Sequence, residues 1–289
     1  MAILKTENLQ FIYGQGMPDE VKVLKGMNVE IEEGEFVGLI GPTGCGKSTF
    51  ISHLNGLLRP TEGKVFLEGV DIWEDTAKMR DVRFTVGLVF QYPEYQLFEE
   101  TVYKDIAFGP KNMGLSEEEI KGRVLSAARF CQIEERFLQA SPFELSGGQK
   151  RRVAIAGVMA MRPRILVLDE PAAGLDPEGR TGILNGVKQY QKETGATVVL
   201  VSHSMEDITR YADRVMVLHE GTVAMFDTTE NVFSHADELV EMGLAIPQIT
   251  QIFLKLKEMG IDIDADVYTM DYAVKELLKY KKHEGGGTA

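Results

Sequence analysis

The stretch GPTGCGKST at residues 41–49 constrains the fold more than any other part of the sequence. It fits the pattern G-x-x-x-x-G-K-[ST] in full, after the apolar run FVGLI (36–40) and before a segment of helical character. In this strand–loop–helix context, glycines let backbone N–H groups point inward at a phosphate, and the helix N-terminus adds its positive dipole end. The sequence therefore predicts a nucleoside triphosphate site on an α/β sheet.

The residue types in this loop suit separate parts of a triphosphate. Lys47 can bridge β- and γ-phosphate oxygens, Ser48 can place its hydroxyl on Mg²⁺, and Thr49 can donate to the α-phosphate. Cys45 carries an oxidisable thiol, but we interpret it as a small tolerated residue. The predicted nucleotide-binding residues of the loop are Gly41, Pro42, Thr43, Gly44, Cys45, Gly46, Lys47, Ser48 and Thr49.

Two carboxylates close the apolar run ILVLDE at residues 165–170. Buried parallel strands read as continuous apolar runs, and ligands lie at their carboxyl ends. Asp169 can hold Mg²⁺ through water, and Glu170 can orient and polarise an attacking water. Because adjacent residues of a strand point to opposite sides, we expect the two carboxylates to divide these tasks. The alternative is a strand end that only meets solvent, and the complete phosphate loop argues against it.

Polar residues also end the runs TVGLVFQ (85–91) and TVVLVSH (197–203). As strands of the same sheet, these runs would bring Gln91 and His203 to the edge that holds the phosphate loop. The Gln91 amide can reach the metal or the water, and His203 can donate to the γ-phosphate. The predicted catalytic residues are Glu170, His203 and Gln91, and the predicted Mg²⁺ ligands are Ser48, Gln91 and Asp169.

Composition narrows the classes of protein to which the chain can belong. Its 289 residues carry a formal net charge of −13, which disfavours non-specific binding of nucleic acid. Cys45 and Cys131 have no CxxC spacing, so neither a zinc site nor a disulfide framework is predicted. The apolar runs are too short to cross a bilayer. We therefore expect a soluble chain that would serve a membrane process as a peripheral subunit.

The pattern of the sequence changes twice along the chain. Residues 1–40 read as strands joined by turns, whereas residues 92–162 read as helices inserted into the α/β body. We predict one nucleotide-binding domain over residues 1–226, with a helical subdomain at about 92–162. A helical C-terminal extension is predicted over residues 227–284, and a flexible tail over residues 285–289.

The predicted extension contains two helices. Pro247 opens an amphipathic run, and a second short helix is expected around residues 273–278. The apolar residues of the first run that could share one face are Ile249, Phe253, Leu256 and Met259.

Beyond the phosphate loop, the motifs occur in the order found in ATP-binding cassette (ABC) transporter ATPases. After Gln91 come LSGGQ (145–149), ILVLDEP (165–171), GLDP (174–177) and His203. Over about residues 3–226 the chain resembles that family. The resemblance implies a P-loop NTPase fold with an antiparallel β subdomain, a helical subdomain and a C-terminal helical extension. It also implies hydrolysis of ATP with Mg²⁺. Ala172 stands where many relatives have Ser or Thr, and no essential group is lost.

The resemblance gives the second glycine loop, LSGGQ, a role. In this family two cassettes pack head to tail, with ATP between the phosphate loop of one and the LSGGQ loop of the other. Ser146 and Gly148 would then meet the γ-phosphate bound by the partner, and Asp176 would touch the partner. The alternative is a simple helix cap with Ser146 as N-cap. The predicted signature loop comprises Leu145, Ser146, Gly147, Gly148 and Gln149.

Two further assignments concern Tyr13 and the basic residues after LSGGQ. Tyr13 resembles the aromatic residue that stacks on adenine in these cassettes, and the alternative is a core or surface tyrosine. Lys150, Arg151 and Arg152 follow LSGGQ on the predicted helix. We interpret these three as a solvated or salt-bridged face.

Residues 91–116 should couple the cassette to a membrane protein. In importers of this family the corresponding region receives a cytoplasmic helix of the membrane partner. The sequence of this segment, together with the C-terminal extension, resembles the ATPases of energy-coupling factor (ECF) transporters. These transporters import vitamins and transition-metal ions. FEETV and GLDP are most similar to the second of their two ATPase types. The predicted coupling residues are Tyr92, Pro93, Gln96 and Phe98.

That resemblance implies several protein partners and no nucleic acid. They are a second ATPase subunit, which would be a non-identical homologue or an identical copy, a transmembrane coupling subunit and a membrane substrate-binding subunit. The chain would lie at the cytoplasmic face of the plasma membrane. Its C-terminal extension would help to hold the ATPase pair together, or would instead pack against its own cassette.

Three other functions stay open at the level of sequence. They are the ATPase of a conventional ABC importer or exporter, a soluble cassette acting on ribosomes or DNA, and a nucleotide-sensing scaffold without turnover. A single cassette, no coiled coil and an acidic balance argue against the soluble class, and the filled hydrolytic positions argue against the scaffold. The transported substrate would contact the membrane subunits, so no residue of this chain identifies it.

Overall fold

The computed structural model describes residues 2–265 and 267–285. Its strands form two sheets, a four-stranded antiparallel one and a six-stranded, mostly parallel one. The strands are β1 (Ala2–Tyr13), β2 (Val21–Glu32), β3 (Phe36–Ile40), β4 (Glu62–Leu67), β5 (Val70–Asp71), β6 (Val86–Val89), β7 (Ile165–Asp169), β8 (Thr197–Val201), β9 (Arg214–His219) and β10 (Thr222–Thr228).

The six-stranded sheet has the order β10-β9-β3-β8-β7-β6. All of its neighbouring pairs are parallel except β9 and β10. Leu39 of β3 and Asp169 of β7 both pair with Val201 of the intervening strand β8. The carboxyl ends of these three strands therefore stop at the same level of the sheet.

Helices pack on both faces of this sheet. They are α1 (Lys47–Leu54), α2 (Met79–Thr85), α3 (Val102–Asn112), α4 (Glu117–Phe130), α5 (Gly147–Ala160), α6 (Pro177–Thr194), α7 (Met205–Tyr211), α8 (Thr229–Ser234), α9 (Ala236–Glu241), α10 (Gln248–Glu258) and α11 (Met270–Gly285).

Alternation along the parallel strands divides the core into two. Val37 and Leu39 of β3 pack with Phe50 of α1 and with the buried face of the smaller sheet. Phe36 and Ile40 of the same strand pack on the opposite face with residues of α3 to α9. Because successive strand residues point to opposite faces, a fully apolar strand such as FVGLI supplies both cores at once.

The predicted α/β class is confirmed, including the antiparallel β part and the helical part. Described residues between Gln91 and Arg162 form helices and 3₁₀ turns without a strand. Ser116 caps α4 in a reciprocal capping box with Glu119, which fixes the start of that helix.

The predicted strand over residues 85–91 is too long. Thr85 ends α2, and β6 covers only Val86–Val89. Among the described strands β6 lies at the edge of the sheet and pairs with β7 alone, and the pairing ends where Val89 meets Leu168. Gln91 therefore lies in the loop beyond the strand.

The C-terminal extension folds as α8 to α11, with a small core of its own around Phe253, Ile263, Val267 and Ala273. Met259 does not share the buried face expected for it. It is the C-cap of α10 and is 71% exposed, because the helix ends at the preceding residue. The second helix, α11, is longer than predicted. The predicted flexible tail lies outside the described residues except for Gly285, which ends α11.

Two helical glycines offer a matched test of the packing. A Cβ at Gly186 of α6 would lie 2.0 Å from the Phe130 carbonyl oxygen, whereas a Cβ at Gly122 of α4 meets nothing within 4 Å. We expect Gly186→Ala to destabilise the protein by about 1–3 kcal/mol through overpacking. Gly122→Ala should stabilise it by up to about 1 kcal/mol, because alanine is the better helix former. Urea unfolding of both variants measures these changes. Equal changes in the free energy of unfolding would contradict the packing of α6 on α4.

Candidate active site

The phosphate loop connects β3 to α1 through glycines in special conformations. Gly44 and Gly46 have φ values of 82° and 107°, a region that favours glycine. A Cβ at Gly41 would lie 2.4 Å from the Leu218 carbonyl oxygen, so this position has no room for a side chain. Gly46 is the N-cap of α1, and no side chain caps the helix there. The loop therefore presents backbone and a helix N-terminus, as an anion site requires.

The Lys47 side chain folds back over the loop. Its Nζ donates to the carbonyl oxygens of Gly41 and Pro42, at 2.6 and 3.0 Å, and the residue is buried. A buried ammonium held by neutral carbonyls gains more from an anionic acceptor, because charge-assisted hydrogen bonds are roughly twice as strong as neutral ones. Phosphate oxygens are such acceptors.

A hydrogen bond joins the phosphate loop to the acid pair. Ser48 Oγ donates to Asp169 Oδ2 over 2.9 Å. Burial raises the pKa of Asp169, while Ser48 and the Lys47 charge oppose that rise. One hydroxyl and one carboxylate oxygen side by side are hard ligands of the kind that Mg²⁺ accepts while keeping waters and phosphate oxygens as its remaining ligands. These residues therefore fit Mg²⁺.

Asp169 is the last residue of β7, and Glu170 lies in the turn that follows it. Its φ of 50° lies in the left-handed region, which is rare for a residue other than glycine. Its Oε1 is buried without a hydrogen bond and lies 3.5 Å from His203 Nε2. Burial, and then the charge of Asp169, raise the pKa of Glu170 to about 7. The two acids thus take different positions through this turn of the backbone and not through strand alternation alone.

His203 and Gln91, the other predicted catalytic residues, lie in different surroundings. His203 follows β8 and is half exposed, and burial, followed by the Lys47 charge, lowers its pKa. A neutral imidazole can donate one hydrogen bond. Gln91 is exposed in the loop after β6, and its side chain makes no hydrogen bond to another described residue. His203 therefore joins the acid pair in this structure, and Gln91 does not.

Tyr13 lies beside the phosphate loop. Its hydroxyl is 3.3 Å from Thr49 Oγ1, and its ring packs edge-on against Phe11 with the centroids 4.7 Å apart. The ring is 46% exposed. Tyr13 is thus a surface aromatic residue next to the loop.

The signature loop starts α5 with a reciprocal cap. Ser146 Oγ accepts from the Gln149 N–H at 3.3 Å, and Gln149 Oε1 accepts from the Ser146 N–H at 2.9 Å. The simple helix cap is therefore present. However, a Cβ at Gly147 would meet nothing within 4 Å, and one at Gly148 would only touch Leu175 at 3.4 Å. Packing within the chain does not require these glycines, whereas close approach of an external group would.

The signature loop and the phosphate loop are not hydrogen-bonded to each other among the described residues. None of the hydrogen bonds between described residues joins residues 41–49 to residues 145–149. Leu145 is buried against the core, while Ser146 is exposed. Asp176 is also exposed, and it caps α6 by accepting from the Gly179 N–H at 3.3 Å.

The predicted coupling residues lie around a 3₁₀ helix, Pro93–Gln96, that follows Gln91. Tyr92 precedes it in the left-handed region, Pro93 is buried, and Gln96 is exposed. Phe98 is 58% exposed and packs edge-on against Phe108 of α3. The segment thus presents an aromatic surface beside the helical part.

Sequence reasoning missed the burial of Arg151 and the aromatic contribution of Tyr95 and Phe108. Arg151 is 5% exposed and pairs with Glu94, so the salt-bridged interpretation applies to it and the solvated one does not. A signal existed, since Arg151 precedes the buried Ile155 of α5 by four positions and so shares its face. Tyr95 is 85% exposed and follows Tyr92 within the same segment.

The chain matches known proteins along most of its length. Residues 24–173 match the family model described as ABC transporter. The chain is 52% identical over 277 residues to the energy-coupling factor transporter ATP-binding protein EcfA2 of Caldanaerobacter subterraneus subsp. tengcongensis, covering 96% of this chain and 97% of that protein. It is 53% identical, again over 277 residues, to the protein of the same name from Clostridium acetobutylicum, at 96% and 97% coverage.

Solved structures match the same fold. One is cbiO1 from Clostridium perfringens, described as part of the ABC transporter complex cbiONQ, with a TM-score of 0.75 and 37% identity over 90% of this chain and 97% of that one. Another is the ATP-binding cassette MJ0796 in a dimeric post-hydrolysis state with ADP and Pi. Its TM-score is 0.70 and its identity 32%, over 78% of this chain and 98% of that one.

The raised pKa of Glu170 predicts a pH-dependent cost to stability. A carboxyl that titrates at about 7 when folded and near 4.5 when unfolded stabilises the fold at low pH and loses that contribution as the pH rises through 7. Without nucleotide and with a chelator, the free energy of unfolding of Glu170→Gln should therefore rise by about 2 kcal/mol relative to that of the parent protein when the pH is raised from 5 to 8. Urea unfolding at both pH values measures this, with Glu178→Gln on the exposed start of α6 as the control. Parallel pH curves would show that Glu170 is not held neutral.

Proposed function

The chain belongs to the ABC transporter ATPase family, and from this premise we propose that it is the ATP-hydrolysing motor subunit of an ECF-type importer. Its full-length similarity to ECF ATP-binding proteins supports the transporter class, because the match includes the C-terminal extension and not the cassette alone. The observation that carries the hydrolytic function is the contact of Ser48 with Asp169 beside the unpaired carboxylate oxygen of Glu170.

ATP would bind with its phosphates in the loop at residues 41–49. Phosphate oxygens would replace the carbonyls of Gly41 and Pro42 as the partners of the Lys47 ammonium. The first turn of α1 would supply further N–H donors and its positive dipole end. The exposed face of Tyr13 would stack on the adenine.

Ser48 and Asp169 would hold Mg²⁺, with Gln91 joining them if its loop moves toward the strand ends. The bound ion would neutralise charge on the phosphate oxygens. Two protein ligands suffice, because Mg²⁺ is usually bound through one or two protein groups with waters and phosphates as its other ligands.

Glu170 would accept a proton from the attacking water. A general base works best when its pKa lies near the working pH, and without bound ion or nucleotide burial together with Asp169 raises the pKa of Glu170 to about 7. His203 would donate to the γ-phosphate from the neighbouring strand end. The 3.5 Å distance between His203 Nε2 and Glu170 Oε1 supports this proposal, because one phosphate and its attacking water could reach both residues.

The signature loop would act on ATP held by a second ATPase subunit. Gly147 and Gly148 leave the start of α5 uncovered, and Ser146 is exposed there. With a γ-phosphate bridging two subunits, ATP favours the joined state and hydrolysis removes the bridge. Asp176 would touch the partner across the same interface, and the second subunit is a non-identical homologue or an identical copy.

The membrane partners would be a transmembrane coupling subunit and a substrate-binding subunit. None of the helices among the described residues has both the length and the apolarity needed to span a bilayer. The chain would attach peripherally at the cytoplasmic face of the plasma membrane, through Tyr92, Pro93, Gln96 and Phe98. The C-terminal extension would hold the ATPase pair together, with the exposed apolar residues Val274, Leu277 and Leu278 of α11 available for contact.

Substitutions at Glu170 and Lys47 should separate binding from hydrolysis. Glu170→Gln should bind ATP and Mg²⁺, accumulate a closed pair by light scattering and lower kcat roughly a hundredfold or more, because the general base is lost. Lys47→Ala should instead lose ATP binding in equilibrium titrations. Glu178→Gln, on the exposed start of α6, serves as the control. Full turnover by Glu170→Gln would disprove the assignment of the base.

Phe98→Ala should weaken binding of the membrane subunits to this chain. If Phe98 is a hot spot of the interface, its truncation costs about 2 kcal/mol or more of binding, so recovery of the membrane subunits with the tagged chain should fall at least about tenfold. Val70→Ala, an exposed apolar residue of β5, is the matched control. Equal recovery with both variants would place the membrane contact elsewhere.

Purification of the native complex decides between the ECF type and a conventional ABC transporter. The ECF assignment expects a second ATPase, a separate transmembrane subunit and a membrane substrate-binding subunit. A partner built as a fused permease–ATPase would contradict it.

A further inference from the structure

A buried ion pair joins the coupling segment to the signature helix. Arg151 of α5 donates from Nε to Glu94 Oε2 at 3.0 Å and from Nη2 to Glu94 Oε1 at 2.6 Å. This two-point geometry fixes the orientation of both side chains, which a single contact would not. The Arg151 side chain is 6% exposed and that of Glu94 15%. The pair is therefore largely shielded from solvent.

Arg151 also contacts the loop that leaves the acid pair. Its Nη1 donates to the Ala173 carbonyl oxygen, and the Ala173 N–H donates to the Glu170 carbonyl oxygen at 3.2 Å. Ala173 lies three residues after Glu170 and three before Asp176. One guanidinium thus connects the 3₁₀ helix at residues 93–96, the start of α5 and the loop between Glu170 and Asp176.

The neighbouring basic residue shows that this arrangement is specific to one position. Arg152 donates to the Cys131 carbonyl oxygen and to Gln132 Oε1, both in the loop after α4, and reaches neither Glu94 nor Ala173. Burial opposes ionisation of Glu94, but the hydrogen bonds and charge of Arg151 more than offset it and lower the pKa of Glu94. Both partners are therefore charged at neutral pH. A buried charge that loses its partner is costly, so displacement of one must move or strain the other.

We propose that Arg151 is a positioning residue that transmits displacement of the coupling segment to the loop between Glu170 and Asp176. This inference rests on the proposed function, which places the coupling segment against the membrane partner. When the partner shifts the 3₁₀ helix, Glu94 moves with it and displaces the Arg151 guanidinium through the ion pair. The guanidinium then displaces the Ala173 carbonyl through their hydrogen bond. The loop that follows the proposed general base then changes its position relative to the second ATPase subunit.

The experiment compares the isolated chain with the complex purified from the native host through a tag on this chain. The variants are Arg151→Lys, which keeps the charge but loses the fork, Glu94→Gln, and the double variant Glu94→Leu/Arg151→Met. Arg152→Lys on the same helix is the control. The readouts are equilibrium binding of ATP, KM and kcat of hydrolysis with and without the membrane subunits, recovery of those subunits, and the melting temperature.

We expect Arg151→Lys and Glu94→Gln to leave ATP affinity and KM within about twofold, and to lower the stimulation of kcat by the membrane subunits about tenfold. Arg152→Lys should keep the stimulation. The apolar double variant should melt near the parent protein, because well-packed apolar residues often replace a buried ion pair without loss of stability. It should nevertheless stay unstimulated while retaining the membrane subunits.

Two results would overturn the proposal by itself, and a third would overturn it together with the proposed function. Restored stimulation in the apolar double variant would show that the pair only fills space, and unchanged stimulation in Arg151→Lys and Glu94→Gln would show that the pair transmits nothing. If the unmodified complex hydrolyses ATP no faster than the isolated chain, the proposed coupling to a membrane partner fails instead, and the relay fails with it.

Discussion

The hydrogen bond from Ser48 to Asp169 ties together the two parts of the chain on which the site depends. It connects the first turn of α1 to the end of β7, across 121 residues of sequence. Strand order makes this contact possible, because β8 alone separates β3 from β7 and all three strands run parallel. Their ends stop level with Val201, so the phosphate loop, the acid pair and His203 share one edge of the sheet.

Two shielded glutamates of this acidic protein behave differently because their neighbours differ. Despite a net charge of −13, the phosphate loop offers the Lys47 ammonium and a helix N-terminus. Burial and the like charge of Asp169 raise the pKa of Glu170 to about 7. The buried Arg151 instead lowers the pKa of Glu94 and keeps it ionised. The pKa of the same residue type is thus shifted in opposite directions by different neighbours.

The two glycine loops differ in what requires their glycines. Gly41 has a carbonyl of the same chain where a side chain would lie, and Gly44 and Gly46 need positive φ. At Gly147 and Gly148 neither packing nor backbone conformation within the chain requires glycine. This contrast is the structural reason to expect the second loop to act on a group from outside the chain, as the head-to-tail arrangement proposes.

The sequence by itself determined the local elements: the strand–loop–helix at residues 36–54, the apolar strand ending at Asp169, and the helices α4 and α5. Each follows from short-range hydrogen bonding, capping and apolar period, which neighbouring residues set among themselves. The tertiary structure alone decided the end of β6, the exposure of Met259, the turn at Glu170 and the partner of Arg151. Glu94 and Arg151 lie 57 residues apart, and no local pattern encodes that pairing. It depends on how the helices pack beside the sheet, because only the folded chain sets which faces meet.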